Sequence, residues 1–391
     1  MPRHARVALV TAYYHPVLGG AEAAARRIAE FLVRRGHEVS VITTLTDAAL
    51  PRHEMIAGVR VDRIGPPRPR ASARKWQILP RLTSELWGRR DAYDVIAVID
   101  YRGVGLGAIL AGRLAGRPVM IQAQTEGVLS GSHLSAAGRI VSWPMRRLYR
   151  LADGLACISK GIQREAIDAG VPAERVFDIP NTVDVDRFHP AAPGERDRRR
   201  AEFGWPADRP IGLFVGRLSR EKGIVDLLQA WERIPAPAML VVVGPDMPGH
   251  PWDEGARAHE LAAGPALAGR VIFTGATSDP APFHRAADFA IVPSHWESFG
   301  LSAAEAMASG LAVAASAVGG LTDYIVDGTN GLLVPPQNPA ALAAAIQRLI
   351  DDAPLRARLA SAARETVLQF DERVVLDRFG AVLDRLAGKV S

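Results

Sequence analysis

The sequence predicts an α/β protein of two doubly wound, Rossmann-like domains facing each other across a cleft. Its 391 residues exceed what one hydrophobic core usually supports. Short β-branched runs alternate with helical stretches, the pattern of parallel sheets covered by helices on both faces. The alternation stops at a charged, proline-containing stretch and then restarts. These observations divide the chain into a first domain over 1–190, a linker over 191–209, a second domain over 210–370, and a C-terminal helix over 371–391 able to cross back to the first domain.

In the first half, strands are expected at Val7–Thr11, Val39–Thr43, Val95–Ile99, Val119–Gln122, Gly154–Ile158 and Val176–Ile179. Between the first two, Ala21 to Arg35 has helical spacing and ends at Gly36, a C-terminal helix stop. The stretch His189 to Arg200 carries no apolar period and reads as the linker. Strands resume at Ile211–Val215, Leu240–Val243, Val271–Thr274, Ala290–Val292, Val313–Ala315 and Leu332–Val334.

Composition narrows the class. With 48% hydrophobic and 23% charged residues the chain is an ordinary globular protein. Its one cysteine, Cys157, excludes an internal disulfide framework and fits the cytoplasm. The first ten residues are too short an apolar run for a signal peptide, and nowhere is there a run long enough to span a membrane. The formal charge is only +5, yet nine Lys/Arg fall between Arg60 and Arg90 against Asp62 and Glu85, interleaved with Trp and Leu. That stretch is either a solvated helix face or a grip on something anionic, a lipid-linked acceptor or the inner membrane face. No nucleic-acid motif accompanies it.

Three blocks carry the chemistry. The segment from Pro293 to Gly310 reads as strand end, glycine loop and helix start, which aims backbone N–H groups and a positive dipole end at a ligand. Glu297 and Glu305 flank that anion site, and Ser302-x-x-Glu305 also reads as a capping box. After Ile211–Val215 come Gly216, Arg217, Lys222 and Gly223, cations leaving a strand end where a diphosphate would lie. Near the N-terminus, Gly19-Gly20 joins a strand to a helix. The D-x-D of Asp184 and Asp186 could hold a metal, but Arg217 and Lys222 already supply positive charge, so no metal and no cofactor is expected.

In order and spacing, Gly19-Gly20-x-Glu22, Ile179-Pro-Asn-x-Val-Asp184 with Phe188, Gly216-Arg217 with Lys222-Gly223, and Pro293-Ser294 with Glu297-x₇-Glu305 resemble family 4 glycosyltransferases over nearly the whole chain. The resemblance implies a GT-B fold and a retaining, metal-independent transfer from a nucleotide sugar, UDP being the common donor. It implies that Arg217 and Lys222 bind the diphosphate, that Glu305 holds the ribose and Glu297 the donor sugar. Backbone amides at Phe299, Gly300 and Leu301 would cradle phosphate or sugar, and Gly20 would approach the diphosphate. One departure stands out: where many members carry a histidine after an N-domain strand, this chain has Ala123-Gln124-Thr125-Glu126-Gly127, leaving Gln124, Glu126 or the nearby His133 on the acceptor side. That departure keeps open a catalytically weak nucleotide-sugar-binding subunit. A GT-B nucleotide-sugar epimerase is a third class.

Overall fold

The computed structural model describes residues 4–17, 20–67, 78–99, 104–127, 147–235 and 237–388. The chain separates into two compact units, Met1–Thr182 with Arg373–Ser391, and Val183–Glu372.

The first unit contains β1 (Arg6–Thr11), α1 (Gly20–Arg34), β2 (Glu38–Thr44), β3 (His53–Ile56), β4 (Val59–Ile64), α2 (Leu79–Gly88), β5 (Val95–Ile99), α3 (Val104–Ala115), β6 (Val119–Ala123), β7 (Gly154–Cys157), α4 (Lys160–Asp168) and β8 (Val176–Asp178). Its sheet runs β3-β4-β2-β1-β5-β6-β7-β8, parallel except for the β3–β4 pair. Valines at 7, 39, 41 and 95 form a core with Ile28 and Leu32 of α1. Cys157 is fully buried in β7, and that burial, aided by Asp178 and Glu165, pushes its thiol up to about 12.

The second unit contains α5 (Glu195–Phe203), β9 (Ile211–Val215), α6 (Ile224–Trp231), β10 (Met239–Val243), α7 (Gly255–Ala263), β11 (Val271–Gly275), α8 (Ala281–Ala286), β12 (Phe289–Val292), α9 (Leu301–Ala308), β13 (Ala312–Ser316), β14 (Leu332–Val334), α10 (Pro339–Asp351) and α11 (Ala353–Val367); α12 (Glu372–Ala387) follows. The all-parallel order β11-β10-β9-β12-β13-β14 places β9 and β12 side by side. The loops leaving these two strands therefore emerge together at the carboxyl edge, where doubly wound sheets hold ligands. Gly212 permits that pairing's tight core, since a Cβ there would come within 2.8 Å of Trp231 and 2.9 Å of Phe289.

Two expectations are corrected, and the C-terminal helix finds its place. β3 and β4 were not foreseen, because Asp62 and Arg63 interrupt the apolar alternation although both side chains are buried. The turn between them, Ala57-Gly58, has positive φ at both residues, which matches the twist of a tight hairpin. The expected linker contains α5, held in the second unit by stacking of Phe203 on Phe283 at 4.8 Å and by Arg200, whose guanidinium pairs with Asp288 at 2.7 Å. Asp288 also accepts the Ile211 amide at the head of β9. Lastly, α12 puts Val375, Leu376, Phe379, Leu383 and Leu386 into the first unit's core, so that unit closes with the chain's last helix. No helix among the described residues is long and apolar enough to cross a membrane.

Two stability predictions arise here. Arg200→Ala leaves the Asp288 carboxylate with only the Ile211 amide and the more distant Arg196, at 3.4 Å, and should cost about 2 kcal/mol in urea unfolding; a loss below about 0.5 kcal/mol would show the pair to be incidental. The second concerns His284, 1% exposed with its ring edge-on to Phe188, where burial and then the Arg285 charge lower its pKa from 6.5 to about 3. The unfolded chain takes up a proton as pH falls through about 6.5, whereas the native imidazole stays neutral down to about 3. Stability present above 6.5 therefore drains away on acidification, by about 2 kcal/mol between pH 7 and 5. His284→Leu should flatten that slope, and an unchanged slope would refute the assignment.

Candidate functional site

The site is built on the loops after β9 and β12. Gly216 and Arg217 leave β9, and a short turn at Arg220–Lys222 leads to Gly223, which is left-handed (φ +68°) and opens α6. A Cβ at Gly223 would lie 2.1 Å from the Pro293 carbonyl oxygen, so only glycine lets the two loops meet. That approach delivers Lys222 to the other loop: its Nζ donates to Glu297 Oε1 at 2.5 Å, across a sequence separation of 75. Ser294 Oγ donates to the same oxygen at 3.1 Å. Arg217 pairs with Glu221, a mostly buried carboxylate one turn on. His295 sits with its Nε2 2.8 Å from Asp226 and pins the loop onto α6.

Gly300 (φ +88°) caps α9, and a Cβ there would press on Leu321 at 2.4 Å. The Ala303 and Ala304 amides donate to the Gly300 carbonyl, which leaves the Leu301 and Ser302 amides as donors without intrahelical acceptors, an arrangement suited to an anion. Phe299 turns its ring into the core against Tyr324 and Phe370, leaving its backbone to the site. Tyr324 donates its hydroxyl to the Gly300 carbonyl at 3.0 Å; complete burial, then Glu297 and Asp323, hold that hydroxyl protonated. The capping-box reading of Ser302-x-x-Glu305 fails, because Gly300 is the cap and Ser302 already lies inside the helix. Glu305 is thereby relieved of a capping role.

The expected positive pocket is more balanced than the motif suggested. Lys222 and Arg217 each carry a carboxylate partner, so an incoming diphosphate competes with Glu297 and Glu221 for them. Sequence reasoning missed Glu221 and Ser294, although both lie inside the quoted motifs. It also missed Gly320, whose amide donates to the Glu297 carbonyl at 2.9 Å and whose missing side chain admits Ser298 and Phe299. No local signal links residue 320 to residue 297. Asn330 is structural: its side chain binds the backbone at Val326 and Tyr324.

In the first unit, Gly20 begins α1. The two acceptor-side residues after β6 have different surroundings. The Glu126 carboxylate lies over Gly161 in the first turn of α4, where a Cβ would be 2.6 Å away, so only glycine admits it beside that helix end, which Ser159 caps. Gln124 keeps a buried side-chain amide nitrogen with no hydrogen-bond partner among the described residues. His133 lies outside the described residues. Asp184, the D-x-D candidate, accepts the amides of Asp186 and Arg187 in a turn, and no cluster of metal-ligating side chains occurs among the described residues.

The family model Glycosyltransferase Family 4 matches residues 18–187, and Glycosyl transferases group 1 matches 195–366. A relative named D-inositol 3-phosphate glycosyltransferase, from Xylanimonas cellulosilytica, is 30% identical over 94% of each chain. The chain belongs to glycosyltransferase family 4. Among solved structures, sucrose-phosphate synthase from Thermosynechococcus elongatus is 29% identical, covers 99% of this chain and 100% of its own, and gives a TM-score of 0.81. Anabaena HepE, solved with UDP-glucose, gives 0.80 at 24% identity over 98% of this chain and 100% of its own. The family 4 chain thus has the two-domain GT-B architecture, and it is a glycosyltransferase.

Proposed function

We propose that this family 4 enzyme transfers a hexose-type sugar from a nucleoside diphosphate, UDP first among them, with retention and without a metal. The observation that supports it best is the Lys222–Glu297 pair set beside the amino end of α9. A diphosphate at that helix end would draw Lys222 and Arg217 to its oxygens, and Glu297 would pass to the sugar hydroxyls. Glu305, half-buried in α9, would take the ribose hydroxyls. Departure of the nucleotide builds negative charge where the two cations and the helix amides stand ready, which is how such a site lowers a barrier. The curated relative's name and the HepE complex favour a phosphate-bearing acceptor and a uridine donor respectively. The reaction would take place in the cytoplasm, near the inner membrane face.

Slow hydrolysis of a panel of nucleotide sugars tests the donor without needing an acceptor. UDP-sugars should release nucleotide fastest, and EDTA should leave the rate essentially unchanged. Abolition by EDTA would sink the metal-free mechanism; silence with every donor would sink the transferase reading. Gln124 in place of histidine favours a second reading, a weak binding subunit, which would titrate with UDP-sugar yet never turn it over with phosphorylated polyols or lipid-linked phosphates.

A further inference from the structure

Helix α2 separates two unlike surfaces of the first unit. On one side lies a cavity of about 600 Å³, with Arg52, Arg63, Arg81 and Arg89 in its lining together with Glu85. Some of this charge is internal to the fold. Asp62, fully buried, accepts from Arg89 at 2.5 Å, Arg60 at 3.1 Å and His53 at 2.6 Å, while Arg63 pairs with Glu54 and Arg89 also with Glu85. Among the described residues, five arginines thus face three carboxylates. Within that same set the two left over are Arg52, bonded only to the Gly65 carbonyl, and Arg81, which has no partner there. Both are exposed.

On the other side, α2 packs closely on α3 where Gly107 admits Leu79 and Leu82. The crevice between these helices, about 570 Å³, is lined by Leu79, Thr83, Trp87, Leu110 and Leu114. Trp87 is 48% exposed, Leu110 45% and Leu114 67%, with Arg90 over the Trp87 ring at 4.9 Å. Pro80 and Ser84 border both hollows, so the cationic and apolar surfaces are continuous.

We propose that this face docks on an anionic phospholipid surface, lipid phosphates entering the arginine cavity while Trp87, Leu110 and Leu114 enter the interface. Unpaired cations flanking exposed Trp and Leu are what a bilayer interface accommodates, and a polar protein partner would leave the leucines unmatched. The docking does not depend on which sugar is transferred.

Vesicle flotation with the full chain tests it. Equimolar phosphatidylglycerol and phosphatidylcholine vesicles should bind at least about tenfold more protein than phosphatidylcholine alone, and high salt should weaken the binding. Arg52→Glu with Arg81→Glu should cut binding by about tenfold or more, and Leu110→Ser with Leu114→Ser by about fivefold or more. Arg348→Glu, on the second unit, should change nothing, with thermal unfolding confirming that each variant is folded. The proposal is overturned by absence of binding at low salt, by binding that both double variants retain, or by saturable binding of inositol phosphate that requires Arg52 and Arg81 in a protein that ignores vesicles.

Discussion

Lys222→Ala lowers kcat/KM for sugar transfer by about a thousandfold, roughly 4 kcal/mol, while the protein stays folded: this is the largest effect expected. Lys222 stands at the β9 edge with only 24% of its side chain exposed, its ammonium already fixed by Glu297. A cation held this way needs little reorganisation when charge appears on the departing diphosphate. Arg217, nearly half exposed and paired with Glu221, should lose less when truncated, about a hundredfold. Removing Lys222 leaves Glu297 with Ser294 Oγ as its hydrogen-bond donor, which should cost about 1–3 kcal/mol of stability. Lys222→Gln separates the two effects, because it retains a donor for Glu297 and removes only the charge. If Lys222→Gln transfers sugar at near-parent rates, the leaving-group role is wrong.

Glu297→Gln carries the second largest effect and has opposite consequences for two ligands. The Glu297 carboxylate is at once the counter-ion of Lys222 and the proposed acceptor of sugar hydroxyl hydrogen bonds. Charge-assisted bonds of that kind contribute about 1.5–3 kcal/mol each, so transfer should fall about a hundredfold. UDP alone makes no use of the sugar contact and no longer competes with a carboxylate for Lys222. Its affinity, measured by calorimetric titration, should stay level or rise. A UDP affinity that falls in step with transfer would show that Glu297 only positions the loop.

Much of this site was legible from spacing. Arg217 and Lys222 follow a buried strand, Glu297 and Glu305 bracket a glycine at a helix start, and the structure puts the two groups after neighbouring strands. What spacing could not convey was that Lys222 and Glu297 touch, or that Gly320 supports the chain at Ser298. Those contacts depend on Gly223 and Gly300 adopting left-handed backbone against Pro293 and Leu321. Charged residues misled the reading in two places. Arg200 made α5 look like a linker, and Asp62 with Arg63 hid β4, because a charge buried against a partner is indistinguishable in sequence from one in solvent.

The sequence by itself determined the two mainly parallel sheets, the glycine-bearing loops after β9 and β12, and membership of a glycosyltransferase family. Hydrophobic periodicity and turn residues act over a few neighbours, and those properties are local. Only the tertiary structure decided that α12 completes the first unit, that Glu126 lies beside the α4 end while the Gln124 amide nitrogen has no partner among the described residues, and that Arg217 and Lys222 each come with a carboxylate. The α12 packing and the Lys222–Glu297 pair join groups far apart in the chain. Even the nearer contacts, Arg217 to Glu221 and Glu126 to Gly161, depend on how turns and helix ends are placed, which close packing of the whole chain fixes and no local pattern records.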